Sequence, residues 1–385
     1  MKNRIRVAWV CTPLLYGIGG TWKHLTNWAA SLDQNRFEAA LFFGPVRADQ
    51  AAPIREHFQR FRNLTVRAVE GLFPVRHWPI VGVKNLRSAL EGWRPDIIHS
   101  IYIQSDFLGA LARPASTRAH ISSWESDPEL WLTKGWKKPF YKLGFEICRK
   151  YIDHFVVLSS HLREAGIRDL HIPTSRISVI PIGLPAKEFP PRAYPELLLP
   201  LTTPRIGVIS RLDPGKLVHM TVQAATQILK EFPDARFIIV GDGTERERLQ
   251  RMAEELGIAG KMEFPGWRND VPRLLAGMDV FVFTSTSEGL PVAVLEAQAA
   301  MVPTVSTRIG GVPDVITHGD NGLILEETTP KSIAESVLRL LRDPVLARSL
   351  AVHGRHKFER TYTIEHEMGA LQDLYQRFCD TQGRR

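Results

Sequence analysis

Short runs of consecutive apolar residues alternate along this chain with longer stretches in which apolar positions recur every three to four residues. "IRVAWV", "EAALFF", "DIIHSI", "AHISSW" and "HFVVLS" are such runs in the first half. "RIGVIS", "RFIIVGD", "KMEFPG", "DVFVFTS", "VPTVST" and "GLIL" are their counterparts in the second. Continuous apolar runs read as strands buried on both faces, and helical stretches between them imply parallel sheets covered on both sides. "GLPAKEFPPRAYPELLLPLTTP" interrupts the series with six prolines, so residues 184–204 read as an interdomain linker. The expected fold class is α/β, with two Rossmann-like doubly wound domains, residues 1–190 and 200–365, and a cleft between them. "TIEHEMGALQDLYQRF" is amphipathic, and residues 366–385 are expected to pack back on the first domain as a helix. In doubly wound sheets, ligands bind beyond the carboxyl ends of the strands.

Length agrees with this division, since 385 residues exceed an ordinary single core. With 44% hydrophobic and 23% charged residues, the chain is of globular composition. No apolar run reaches the roughly 18 residues of a membrane span. The opening "MKNRIRVAWVCTPLLYGIGG" mimics a signal peptide, but Pro13, Gly17 and Gly19 cut the apolar stretch short and no small-residue cleavage site follows, so it reads as a buried first strand. Cys11, Cys148 and Cys379 are scattered and odd in number, which suits reduced thiols in a cytosolic protein. Charge changes the picture more. Residues 1–195 carry 27 Lys and Arg against 16 Asp and Glu, whereas the remainder carries 22 against 25. The basic excess of the first half points to an anionic partner there.

Five segments carry candidate chemistry. "GIGGTWKHLTNWAASL" follows the first strand, and its small residues let backbone N–H groups approach a phosphate at a helix start. It lacks the third glycine of a dinucleotide fingerprint, where Trp22 stands, so hydride transfer is weakly supported. "ISRLDPGK" puts Arg211 and Lys216 after the strand that opens the second domain, a pair suited to a diphosphate leaving group. "VGDGTERERL" is another strand-to-helix turn, with Gly241 and Gly243, and "FPGWRNDVPRLL" offers Gly266 and Trp267 as one wall for a nucleobase. "STSEGLPVAVLEAQAAMVPTVSTRIGGVPDVI" carries Glu288 and Glu296, with Gly289, Leu290, Pro291 and Val292 opening a helix toward any phosphate above it. Were that interval wholly helical, the two carboxylates would lie ~12 Å apart along the axis. That is long for glycosidase carboxylates, roughly 5 to 9.5 Å apart, and suits two groups holding the ends of one long ligand.

These pieces together resemble the retaining glycosyltransferases of family 4. "SEGLPVAVLEAQAAMVPTVSTRIGGVPDVI" is similar to that family's E-x7-E segment, and "GGT", "SRLDPGK", "VGDGTERERL", "FPGW" and "HGDNGLIL" fall in the family's order. The resemblance implies the GT-B fold and a metal-free reaction with no cofactor beyond the nucleotide-sugar donor. It implies Arg211 and Lys216 on the donor diphosphate, Glu288 on the sugar, Glu296 on the ribose, and Gly19 and Gly20 closing over the phosphates. The chain departs from the pattern after "AHISSW", where the family often has His and this sequence has Trp124 and Glu125, followed by Asp127. Those three are the acceptor-side candidates. "PIG" likewise replaces the usual "PNG" at Ile182.

The expectation is a retaining, metal-independent transferase that moves a sugar from a UDP- or GDP-linked donor to a lipid-linked or polysaccharide acceptor. Nucleotide-sugar epimerases and phosphorylases share the architecture, and a non-catalytic nucleotide-sugar binder is a reading of a different class. No nucleic acid is expected as partner. "TKGWKKPFYKLGFEICRKY" mixes aromatic and basic residues, as a helix resting on the anionic inner membrane face would.

Overall fold

The computed structural model describes residues 4–14, 20–45, 48–62, 64–72, 80–125, 138–190 and 203–381. The chain divides into two compact units, Met1–Gly183 together with Ile364–Arg385, and Leu184–Thr363. Each is built on a parallel sheet.

The first unit contains β1 (Ile5–Leu14), β2 (Phe37–Pro45), β3 (Leu64–Ala68), β4 (Ile97–Ile101), β5 (Ala119–Trp124), β6 (His154–Val157) and β7 (Ile177–Val179). Their spatial order is β3-β2-β1-β4-β5-β6-β7. Side chains alternate across β1, so Val7, Trp9 and Cys11 join one core while Ala8 and Val10 join another. Both cores are apolar, which is why β1 reads as an unbroken apolar run. Trp28, from helix Gly20–Ser31, joins the Trp9 side together with Met368, Leu371 and Tyr375, from helix Ile364–Thr381. Leu86, Leu90 and Trp93 from helix Ile80–Trp93, with Leu108 from helix Ile103–Ala112, cover the other side.

The second unit contains β8 (Arg205–Ile209), β9 (Arg236–Val240), β10 (Met262–Gly266), β11 (Val280–Phe283), β12 (Thr304–Ser306) and β13 (Leu323–Ile324), in the order β10-β9-β8-β11-β12-β13. Ile206, Val208, Phe237, Ile239, Val280 and Val282 form its core with residues of helices Val218–Glu231 and Pro330–Arg342.

The boundaries differ from the sequence reading. Leu184 donates its N–H to the Tyr362 carbonyl at 2.9 Å. The carbonyl of Phe189, a residue 1% exposed, accepts from Arg355 Nη1 at 2.6 Å. Residues 184–190 are therefore anchored in the second unit and are not a free linker; residues 191–202 lie outside the described residues. The returning segment joins the first unit from Ile364, two residues before the expected boundary.

Candidate active site

In the second unit, β8 and β11 are neighbours, with Val280 beside Ile206 and Phe281 beside Gly207. From β8 the chain winds outward to β9 and β10, and from β11 it winds the opposite way to β12 and β13. Loops leaving β8 and β11 must diverge, which opens a crevice at their carboxyl ends. The loop after β8 ends in the tight turn Pro214–Lys216. It is fastened to the loop after β11 by four hydrogen bonds: the Thr284 hydroxyl donates to the Lys216 carbonyl at 2.8 Å, and the Gly215 carbonyl accepts from the Thr286 N–H at 2.9 Å, the Thr286 hydroxyl at 3.2 Å and the Ser285 hydroxyl at 3.4 Å. This brings Lys216 Nζ into an ion pair with Glu288 Oε1, both side chains being less than a fifth exposed. Arg211 shares the loop but points elsewhere: it is 77% exposed and pairs with Asp213 at 2.6 Å.

Glu288 is held by its backbone as well. Gly310 has φ +45°, and a Cβ there would overlap the Glu288 carbonyl oxygen. The neighbouring Gly311 N–H donates to that same oxygen at 3.4 Å. Only glycine admits so close a pass at this φ. In the sequence the one signal of this role is the paired glycine of "RIGG" after a strand. Gly289, Leu290 and Pro291 are buried, and Val292 is half-buried where helix Val292–Ala299 begins. Glu296 lies within that helix and is 7% exposed. One glutamate is thus on a loop facing the crevice and the other on a buried helix, so the two are not an equivalent pair. At the end of β9, Gly241 has φ +131° and lies where any Cβ would strike the Ser210 carbonyl oxygen, and its N–H donates to the Gly266 carbonyl at 2.9 Å. This ties the loop after β8 to the ends of β9 and β10. Trp267, just beyond, is 58% exposed.

In the first unit the corresponding divergence lies between β1 and β4. Gly20 opens the helix after β1; Gly19 and Asp127 lie outside the described residues. Beyond β5, Glu125 accepts from the Thr21 hydroxyl at 2.6 Å and pairs with His24 Nδ1 at 2.9 Å. The opposite ring nitrogen of His24 pairs with Glu367, which also accepts from Trp28 Nε1 and from the Gly183 N–H, both at 2.7 Å. Burial alone would push the His24 imidazole down, but the two carboxylates overcome it and raise it to about 10. Burial likewise opposes ionisation of Glu125, yet His24 and Thr21 hold its carboxyl below the usual range. Tyr102, bonded to Thr21, sits at φ 72°, a strained position for a non-glycine residue. Sequence reasoning missed His24, Tyr102 and Glu367. Trp124 is placed differently from its neighbour: it is 4% exposed, packs against Phe145 and Phe155, and donates to buried Asp106 at 3.3 Å.

The second unit therefore offers a cation and a carboxylate side by side, next to a helix start whose N–H groups favour an anion. Among the described residues, no group of His, Cys, Asp and Glu could hold a metal ion.

Residues 192–357 match the family "Glycosyl transferases group 1", and residues 19–183 match "Glycosyl transferase 4-like domain". The chain is 27% identical over 304 residues to the UDP-Gal:alpha-D-GlcNAc-diphosphoundecaprenol alpha-1,3-galactosyltransferase of Escherichia coli, covering 76% of this chain and 78% of that protein. It is 32% identical over 167 residues to the N-acetyl-alpha-D-glucosaminyl L-malate synthase of Bacillus anthracis, covering 43% of this chain and only 44% of that one. The fold is shared with Anabaena HepE, crystallised in complex with UDP, at a TM-score of 0.78 and 17% identity over 97% of this chain and 99% of that one. Two parallel-sheet units and family matches spanning most of the sequence lead to one conclusion: the chain belongs to the group 1 glycosyltransferases of GT-B fold.

Proposed function

We propose that this glycosyltransferase moves a sugar from a nucleotide-diphosphate donor to a lipid-linked or polysaccharide acceptor in cell-surface glycan synthesis, with retention at the transferred carbon. The observation that carries the reading is the pairing of Lys216 with Glu288 at the switch point of the second sheet. Before donor binds, each neutralises the other; a sugar diphosphate separates them, the phosphates taking the ammonium and the sugar hydroxyls the carboxylate. The acceptor hydroxyl attacks beside the departing diphosphate. The bond from sugar carbon to diphosphate oxygen breaks, a bond to the acceptor oxygen forms, and the acceptor proton passes to the diphosphate. Lys216, Arg211 (once it swings from Asp213) and the helix start at Gly289 stabilise the leaving charge. Glu288 contributes position rather than proton transfer. Glu296 is assigned to the ribose, and Gly241, Gly266 and Trp267 to the base side. Glu125 is assigned to the acceptor side.

The relatives act on different acceptors by name, a lipid diphosphate in one and malate in another. The lipid-linked acceptor is favoured here by the match that covers more of both chains and by the basic first half. No helix among the described residues is long and apolar enough to cross a membrane. The exposed apolar residues Leu143, Ile147 and Tyr151, four apart along the Lys138–Cys148 helix and just past it, suit a peripheral contact with an anionic membrane at the cytoplasmic face.

A donor screen with purified protein tests the reading, following nucleotide release with and without membrane lipid extract. Release that requires an acceptor and yields an α-linked product from an α-linked donor is expected. Interconversion of free nucleotide sugars, or donor binding without turnover, would overturn it. Chelator should leave the rate nearly unchanged, because the chain's own cations stand where a divalent ion would otherwise neutralise the diphosphate.

A further inference from the structure

The second unit carries another charged cleft, of about 420 Å³, far along the fold from Lys216 and Glu288. One wall is the last two turns of helix Pro344–Thr361, where His353, His356, Lys357 and Arg360 stand at i, i+3, i+4 and i+7. That spacing puts all four on one face. Thr317 and Asp320 form the opposite wall, in the loop that leads into β13. The cleft therefore borders the amino end of the sheet, whereas Lys216 and Glu288 meet at its carboxyl end.

The loop wall is held in place. The Asn321 carboxamide, 2% exposed, accepts from the Thr317 N–H at 2.6 Å and donates to the Val315 carbonyl at 2.9 Å. His353 Nδ1 joins the two walls through Asp320, at 3.0 Å from Oδ1 and 3.1 Å from the carbonyl oxygen. Asp320 is the carboxylate of the lining, and it is already paired. No ion pair engages His356, Lys357 or Arg360 among the described residues. Lys357 is only partly exposed and has just the Thr317 hydroxyl, at 3.5 Å. Burial pulls its ammonium below the ordinary range, and the charges of Asp314 and Asp320 counter only part of that effect. Burial outweighs those two carboxylates, and an anion in the cleft would relieve the cost that remains.

We infer that this cleft is a second anion site, which takes a phosphate group between Lys357, Arg360 and the two histidines on one side and the Thr317 hydroxyl on the other. Arginine and lysine together match phosphate chemistry: a planar fork for two oxygens and a mobile point charge for the third. The polar lining and modest volume fit a phosphate monoester or a phosphodiester headgroup rather than an apolar ligand. The site is independent of the donor, whose diphosphate is assigned to the other end of the sheet.

Histidine carbethoxylation of the full-length protein, read residue by residue by mass spectrometry, tests this directly. His353 and His356 report on the cleft, while buried His24, His99 and His120 report on folding. The probes are inorganic phosphate, glucose 6-phosphate, and vesicles of phosphatidylglycerol or of phosphatidylcholine, with chloride at matched ionic strength as reference. Saturable protection of His353 and His356 by a phosphate-bearing probe is expected. In a Lys357→Ala/Arg360→Ala variant of unchanged melting temperature it should weaken by at least about tenfold. Protection by the soluble probes names a soluble phosphate ligand, and protection by phosphatidylglycerol vesicles alone names a lipid headgroup. No protection by any probe, protection equal to that by chloride, or undiminished protection in the double variant would overturn the site.

Discussion

Lys216 and Glu288 pair across the crevice between the two strands at which the second sheet reverses its winding, although 72 residues separate them in sequence. Both stand on loops beyond strand ends, outside the hydrophobic core of that unit. Lys216→Ala and Glu288→Gln should therefore fold normally yet lose turnover: about 10²–10³ for Lys216, the scale for removing one preorganised donor at a developing anion, and about 10² for Glu288, the scale for misplacing a bound group. Lys216→Ala leaves a largely buried carboxylate without its partner. The double variant should accordingly melt higher than Lys216→Ala alone while remaining inactive. Wild-type turnover in either single variant would remove that residue from the mechanism.

Gly310 bears on the same carboxylate from behind. Alanine there must tolerate φ +45° and move the Glu288 backbone out of its way. Gly310→Ala should cost about 1–3 kcal/mol of stability and lower kcat as well. Gly319→Ala is the matched control, since that residue also has positive φ but nothing within 4 Å of its Cβ. If the two variants lose activity equally, the contact with Glu288 is not the cause.

The His24 cluster makes stability depend on pH in a defined window. Its imidazole titrates near 10 in the folded protein against an ordinary 6.5, so its contribution is complete below about 6.5 and is lost as pH rises toward 10. Glu125 is shifted the other way: its contribution is present above its ordinary 4.5 and is lost as pH falls through its lower folded value. Urea midpoints measured from pH 5 to 10 should decline on the alkaline side, and His24→Gln should be less stable at neutral pH with a flatter alkaline slope. A variant that keeps the wild-type slope would show that other groups set it.

The proposed membrane contact rests on the exposed Leu143, Ile147 and Tyr151, at 62%, 49% and 53%. In flotation assays the protein should rise with anionic vesicles, more at low salt than at physiological salt. Leu143→Asp/Ile147→Asp, or Glu at both Lys138 and Lys142, should reduce recovery severalfold. Equal flotation with neutral and anionic vesicles would leave these residues as an ordinary solvated face.

Much of this was readable in sequence where physics is local. Strands such as "RFIIVGD" and "DVFVFTS" are buried on both faces, so their apolar runs are unbroken. The strands that escaped notice, β3 and β7, lie at the two edges of the first sheet and show mixed burial. Arg211, Lys216 and Glu288 could be picked out because each follows a recognisable strand in a familiar order. His24 and Glu367 could not, because 343 positions separate them and nothing local marks either as a partner. The burial of Trp124 was hidden for a related reason. All six positions of β5 are buried, so alternation carries no information about which side chains remain accessible.

The Glu367 carboxylate that accepts from the Gly183 N–H does so where the chain leaves the first unit, on a helix that begins where it returns. Leu184 and Thr363, the ends of the second unit, are themselves bridged. The second unit therefore has the topology of a guest inserted into a host, with both of its ends meeting at one place and the two sides of the host's break joined by the hydrogen bond from Gly183 to Glu367. Such a guest can be exchanged between relatives, or circularly permuted at a distant loop, without breaking a strand of the host. Swaps of the second unit that cut at Gly183 and Ile364 follow the natural seam, whereas cuts placed in the proline-rich stretch would leave residues 184–190 stranded from the partners that hold them.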